Sequence, residues 1–122
     1  MAAKKKESID PIEKAILAGK LLSAMSFNQK VWALTVRIPK GKVVTYGDIA
    51  HKLDTQAYRA VGMAMNRNPY APAVPCHRVV GSDGKLTGFA GGLDKKSELL
   101  TQEKVPMKNA QQVDLEKARY SL

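Results

Sequence analysis

Residues 45–69 read TYGDIAHKLDTQAYRAVGMAMNRNP, and this stretch decides the fold. Thr45 has the short oxygen-bearing side chain that suits the N-cap of a helix running from Tyr46 to Leu53. After a brief connection, Ala57, Val61 and Ala64 or Met65 recur at intervals of three or four, which is the apolar face of a second helix. Asn68-Pro69 closes that helix, because the residue before a proline is pushed out of the helical region. Two short helices joined by a tight turn make a helix-turn-helix. On the second helix, Arg59, Gly62, Met63 and Asn66 share the face opposite the apolar stripe. Gly62 costs a helix about 1 kcal/mol relative to Ala. Its missing side chain admits a close approach, either by DNA or by a neighbouring helix.

Upstream, residues 1–9 read as a disordered basic leader, with Lys4, Lys5 and Lys6 adding salt-sensitive affinity for a polyanion. Asp10-Pro11-Ile12-Glu13 supplies an N-cap, a proline at the first helical position and a capping-box acid, which predicts a helix to about Met25. Ser26 caps the next, in which Phe27, Val31, Leu34 and Ile38 form the stripe and Trp32 borders it. Pro39-Lys40-Gly41 ends it, and Val43-Val44 is a short β-like run. Downstream, Pro69, Pro72 and Pro75 predict an extended segment. Val79-Val80 and Leu86 through Phe89, separated by the turn residues Gly81-Ser82-Asp83-Gly84, predict a β hairpin. Gly91-Gly92 precedes a helix capped near Asp94 and ending near Glu103, and residues 107–122 read as a tail with a weak polar helix from Asn109 to Tyr120. The expectation is a mainly α, winged-helix-like single domain over residues 10–106, with a small hairpin beside the cysteine.

The chain has 122 residues, enough for one compact core and too few for two ordinary domains. Hydrophobic residues at 44% and charged residues at 25% are ordinary globular values, and no apolar run approaches the ~20 residues of a membrane span. A soluble protein is expected, in a cytoplasmic (nucleoid-associated) or nuclear compartment, since no apolar segment of a secretory signal follows the N-terminal lysines. One cysteine makes no intrachain disulfide, and Cys76 with His51 and His77 lacks the number and spacing of a zinc site, so neither metal nor cofactor is expected. The net charge of +9 points to polyanions, with nucleic acid the leading partner and a solvated basic surface the alternative. Eleven Lys or Arg against six Asp or Glu between Ser26 and Glu103 keep the core region basic without its ends.

Residues 75–80, PCHRVV, carry the chemistry. A lone cysteine is most often a small buried hydrophobe. Here Cys76 lies between Pro75 and the pair His77-Arg78, where a base and a positive field would favour the reactive thiolate. Adjacent residues of an extended strand point to opposite faces, so Cys76 and His77 need either a turn or a relaying water to cooperate. A histidine used as base needs an orienting acceptor, and Glu103 is the candidate. Arg78 reads as structural or phosphate-facing, and His51 as a surface residue.

These elements, in this order and near spacing, resemble the C-terminal active-site domain of the O6-alkylguanine-DNA alkyltransferases over roughly Phe27 to Glu103. The resemblance rests on Tyr46, Arg59-Ala60-Val61-Gly62, Asn68-Pro69, Pro75-Cys76-His77-Arg78-Val79, Gly91-Gly92 and Glu103. It implies a protein that binds duplex DNA in the minor groove, turns out O6-alkylguanine and takes the alkyl group irreversibly on Cys76. It further implies that His77 is the base acting through water and Glu103 its orienter. Tyr46 would contact the phosphate and help protonate the departing guanine. Arg59 would fill the vacated space beside small Ala60 and Gly62, and Asn68 would tie the helix-turn-helix to the active-site loop. Carbonyls of Cys76 and Val79 would read the guanine amino group, in a pocket lined by Pro75, Val79, Phe89 and Ala90. Arg67 and Lys96 are expected on phosphate. Phe89 departs from the tyrosine common in the family and has no hydroxyl to donate to O6, although the Ala90 amide remains. A monomer is expected. The alternative is an alkyltransferase-like sensor that flips the lesion without transfer and recruits excision-repair proteins; members of that group usually carry tryptophan at the cysteine position. A helix-turn-helix transcription regulator would leave Cys76, His77 and Glu103 without purpose.

Overall fold

The computed structural model describes residues 10–89 and 91–122. The expected basic leader over residues 1–9 and the expected pocket residue Ala90 lie outside the described residues. The fold is mainly helical with small sheets: α1 (Pro11–Leu17), α2 (Phe27–Val36), β1 (Val44–Thr45), α3 (Tyr46–Lys52), α4 (Tyr58–Asn66), a single 3-10 turn (Cys76–Arg78), β2 (Val79–Val80), α5 (Leu93–Gln102), β3 (Met107–Asn109), β4 (Gln112–Val113) and α6 (Leu115–Ala118). No helix among the described residues is long and apolar enough to cross a membrane.

The helix-turn-helix is α3 and α4. Thr45 and Asp48 form a reciprocal capping box at the start of α3, each side chain bonding the other's backbone N–H. Val61, Ala64 and Met65 of α4 pack with Ile49 and Ala50 of α3 and with Val31 and Leu34 of α2 in one buried cluster. Trp32 ties α2 to α4 directly, donating its indole N–H to the carbonyl of Ala64 at 2.8 Å. Ser26 and Gln29 make a second capping box on α2.

Three expectations are corrected. First, α1 stops at Leu17, not near Met25. Gly19 takes φ +72, and the N–H groups of Gly19 and Lys20 bond back to the carbonyls of Ile16 and Ala15, the paired bonds of a Schellman stop. Second, among the described residues Val79–Val80 forms no hairpin with Leu86 through Phe89. Val79–Val80 pairs in parallel with Val44–Thr45, in register Val44 to Val79 and Thr45 to Val80. The helix-turn-helix is thus the crossover that a parallel pair requires. Alternation sends Val44 and Val79 into the helix-turn-helix core and Val43 and Val80 into a second core with Leu86, Leu100 and Val105.

Third, the segment after Pro106 is no weak helix from Asn109 to Tyr120. It forms the antiparallel pair β3–β4 and then α6, with Val113 and Ala118 buried in the second core. Lys85 bridges to Gln112 and the N–H of Leu86 bonds the carbonyl of Gln111, so the start of the segment expected to return against Val79–Val80 meets this hairpin instead. The approach is close at Gly84, where a Cβ would lie 2.3 Å from the carbonyl oxygen of Val113 and φ is +87. On the far side of β1, Val43 donates to the carbonyl of Ala118 and accepts from the N–H of Tyr120, which makes residues 118–120 a third strand in all but length.

Candidate active site

Pro75 ends the proline-rich segment, and its carbonyl accepts from the N–H of Arg78 at 2.9 Å to close the 3-10 turn that carries Cys76 and His77. The backbone is therefore turned at the cysteine, not extended, which removes the geometric objection to a shared role for these neighbours. Cys76 is half-buried and His77 buried. Asn68 holds the approach to the turn: its side-chain N–H donates to the carbonyl of Val74 and its oxygen accepts from the N–H of Tyr70, both at 2.8 Å. Through these bonds Asn68 joins the end of α4 to the loop that precedes the cysteine.

His77, Arg78 and Glu103 form one cluster. Glu103 caps the C-terminus of α5 and accepts from His77 Nε2 at 2.9 Å, from Arg78 Nε at 2.8 Å and from Arg78 Nη2 at 2.8 Å. Arg78 also donates through Nη1 to the carbonyl of Ile38 at 2.7 Å. Arg78 is thus a structural residue, and its fork holds the carboxylate in place. Burial alone would raise the Glu103 carboxyl, but hydrogen bonds from Arg78 and His77 outweigh it and hold the group below its ordinary value. An ionised Glu103 only accepts, so Nε2 carries the proton and a neutral His77 offers its lone pair at Nδ1. Burial lowers the His77 pKa; the Glu103 hydrogen bond and charge oppose this, and Arg78 and Lys96 reinforce it. The ring is therefore neutral at pH 7 and fit to accept a proton.

A cavity of about 120 Å³ adjoins the thiol, lined by Met65, Asn68, Ala71, Cys76 and Phe89. Asn66 and Gly88 line both this cavity and a groove of about 490 Å³ bounded by Tyr46, Tyr58, Arg59, Gly62, Met63 and Thr87. The face of α4 read from the sequence as Arg59, Gly62, Met63 and Asn66 is thus the wall leading to the cysteine. Among the described residues, no heavy atom beyond the backbone of α4 itself and the chain neighbours of Gly62 lies within 4 Å of where a Gly62 Cβ would stand, so no neighbouring helix among them explains that glycine. Arg59 and Arg67 are exposed and Ala60 is half-buried. Pro75 and Val79 are buried behind the cysteine, while Phe89 is half-buried at the cavity.

Lys96 does not reach phosphate. It is 1% exposed, and its ammonium donates to the carbonyl of Val79 at 2.8 Å and that of Thr87 at 2.9 Å. It also lies 6.0 Å from the ring centres of Tyr46 and Phe89. Burial lowers its pKa to about 8, with the Cys76 charge acting the other way. Lys96 instead clamps the cysteine turn to the opposite wall of the cavity. Nothing in the spacing of Lys96 and Lys95 distinguishes the buried lysine from the exposed one, except that Lys96 and Leu100 stand four apart on one helix face. Sequence reading also misses Thr87, whose hydroxyl donates to Tyr46 Oη at 3.0 Å, because 41 residues separate the two. Burial raises the Tyr46 pKa, the Thr87 bond lowers it, and the Cys76 charge adds to the rise.

Residues 26–105 match the model of the 6-O-methylguanine DNA methyltransferase, DNA binding domain. A methylated-DNA–protein-cysteine methyltransferase of Methanosarcina mazei is 53% identical over 83 residues, covering 67% of this chain and 52% of its own length. One from Mycolicibacterium paratuberculosis is 48% identical over 84 residues, covering 68% and 51%. The chain spans about half the length of the curated relatives it matches. Among solved structures, Mycobacterium tuberculosis OGT in complex with DNA superimposes with TM-score 0.63 at 42% identity, over 78% of this chain and 66% of that one. S. pombe Atl1, in complex with damaged DNA containing O6-carboxymethylguanine, superimposes with TM-score 0.68 at 29% identity, over 79% of this chain and 95% of that one.

Proposed function

Since the chain belongs to the 6-O-methylguanine DNA methyltransferase family, we propose that it repairs duplex DNA by moving the alkyl group of O6-alkylguanine irreversibly to Cys76. The observation that carries this reading is the Glu103–His77 pair beside the chain's single cysteine; a carboxylate that only accepts calls for the proton on Nε2 and leaves the Nδ1 lone pair to take another. In the step proposed, the thiol proton passes through water to His77, and the resulting thiolate attacks the alkyl carbon. The S–C bond forms as the C–O6 bond breaks, and the electron pair left on guanine is neutralised by a proton from the Tyr46 hydroxyl. Glu103 stabilises the imidazolium through Nε2.

Arg59, with Ala60 and Gly62 beside it, is assigned to the minor groove, where it fills the space of the flipped nucleotide; its exposure on the groove wall supports this. Arg67 is assigned to phosphate. The carbonyl of Val79 remains a candidate reader of the guanine amino group, since an oxygen that accepts one bond from Lys96 has a second lone pair. Phe89 walls the pocket, and Pro75 is buried next to Cys76 in the chain. The protein acts as a monomer in the cytoplasm, on the nucleoid, or in the nucleus.

The deciding experiment incubates the protein with a duplex carrying one O6-methylguanine and weighs the intact protein and its Cys76 peptide. Gain of one methyl on Cys76 is expected, and Cys76→Ser abolishes it while lesion binding survives. A second reading, a lesion sensor that recruits excision repair without transfer, is favoured by the superposition on nearly the whole of Atl1 and by the missing hydroxyl at Phe89. No mass gain together with tight, lesion-selective binding in a gel shift would select it. Equal binding to damaged and undamaged duplex would sink both.

A further inference from the structure

Thr87 stands outside the motifs that carry the resemblance, yet its hydroxyl joins the two rims of the groove. It donates to Tyr46 Oη at 3.0 Å, and both residues line the groove with Gly88. Separate devices anchor the two ends of this contact. Tyr46 follows Thr45 directly, and the capping box there is held in turn by Arg119, whose Nε donates to Asp48 at 3.0 Å. Thr87 is fixed by its own carbonyl, which accepts from Lys96, and the same ammonium holds Val79 beside the cysteine turn. Among the described residues the Thr87 hydroxyl has Tyr46 as its one hydrogen-bond partner.

A phenol has one proton and two lone pairs. When Thr87 donates, the Tyr46 oxygen is engaged as acceptor and its own O–H is left for a partner in the groove. Donation into a hydroxyl also polarises it, so the phenol becomes the better donor. The arrangement matters more here because Phe89 brings no hydroxyl to the adjoining cavity at Cys76.

We propose that Thr87 is a positioning residue for alkyl transfer, holding the Tyr46 hydroxyl as a donor toward the departing guanine. The inference rests on the transfer reading above. As the C–O6 bond breaks, Tyr46 gives its proton to guanine. The phenolate left behind keeps the Thr87 hydrogen bond, lies 6.0 Å from the Lys96 ammonium at its ring centre, and regains a proton from solvent.

The test compares Thr87→Val, which keeps the branched shape, with Thr87→Ser, which keeps the hydroxyl, in single-turnover transfer from an O6-methylguanine duplex. Thr87→Val is expected to slow transfer by about fivefold or more, short of the roughly 10²–10³-fold that outright removal of a donor at a reacting oxygen costs. Thr87→Ser should stay within about twofold of the parent, and Thr87→Val should cost nothing further in a Tyr46→Phe background. Ultraviolet titration of the free protein, with Tyr46→Phe subtracted, should show the Tyr46 phenol moving upward in Thr87→Val and not in Thr87→Ser. An unmoved phenol, no rescue by serine, or equal slowing with and without the Tyr46 hydroxyl would overturn the proposal. The titration needs no DNA: absence of transfer by the parent protein defeats the transfer reading, whereas an unmoved phenol defeats the role of Thr87 by itself.

Discussion

At the scale of single residues, the site works by fixing protonation states in space. Glu103 accepts three hydrogen bonds from His77 and Arg78, and its side chain is 14% exposed. Glu103→Ala leaves a guanidinium unpaired at a mostly buried position and frees the imidazole to change tautomer. The expected loss is about 2–3 kcal/mol in urea unfolding, with transfer slowed by roughly one to two orders of magnitude. Glu103→Gln should keep more of the stability than of the rate, since an amide still accepts but stabilises no imidazolium. Lys96 behaves oppositely to the common case of a lysine with an anionic partner. Burial lowers its folded pKa to about 8, against about 10.4 unfolded, so between these values the unfolded chain binds more protons and stability rises with pH. The contribution is fully present above the unfolded value and is lost as pH falls through about 8. Unfolding of the parent protein measured from pH 7.5 to 10.5 should therefore gain stability relative to Lys96→Met across that window. Parallel curves for the two proteins would mean that Lys96 is charged and neutral with equal ease in the fold.

At the scale of elements, what was legible in the sequence was local. Thr45 and Ser26 announce their helices because a capping box needs only residues three apart, and the stripes of α2 and α4 follow from a period that the helix itself imposes. His77 and Glu103 were legible as a base and an acid that could pair, and they do meet, whereas the 3-10 turn that carries Cys76 and His77 was not, because it depends on Asn68 bracing the loop from another element. The parallel pairing of β1 with β2 and the swap of the expected hairpin partner were hidden for the same reason: a strand's partner is chosen by packing across the chain. Lys96 misled because a buried ammonium satisfied by carbonyls has no sequence signature. Gly62 shows the conflict between element and function most directly. It sits inside α4, where Ala would be better by about 1 kcal/mol, and the space at its missing side chain is open. Gly62→Ala should raise the unfolding midpoint slightly while weakening binding to duplex DNA severalfold, measured by fluorescence anisotropy. A variant that is both more stable and equally tight would show that nothing approaches α4 at this point.

At the scale of the whole molecule, charge and chain closure act together. The net charge of +9 predicts DNA affinity that falls steeply with salt. If about four phosphates are neutralised, the slope of log K against log salt is about −3 to −4, and a slope near zero in titrations from 50 to 250 mM salt, roughly the range over which such terms are read, would place the basic residues away from the interface. Those basic residues are useful only if the helix-turn-helix is held rigidly against the cysteine turn, and the last sixteen residues contribute to that. Val113 and Ala118 are fully buried with Val43, Val80 and Leu100, and residues 118–120 cover the open edge of β1 through the two bonds to Val43. Removing residues 107–122 would uncover that edge and reopen the second core, so β1 would lose the neighbour that fixes Tyr46 at the groove. Burial of one large aliphatic side chain contributes about 1.5–3 kcal/mol, and several are exposed at once, so the shortened chain is expected to lose its cooperative unfolding transition. Arg119→Ala separates this from the loss of a surface ion pair. Its side chain is half exposed, and exposed pairs contribute about 0–1 kcal/mol, so that variant should remain folded with a slightly lower midpoint. Full stability in the shortened chain would make residues 10–106 a self-sufficient domain, and the observed packing of the tail would then be an accessory to a fold complete without it.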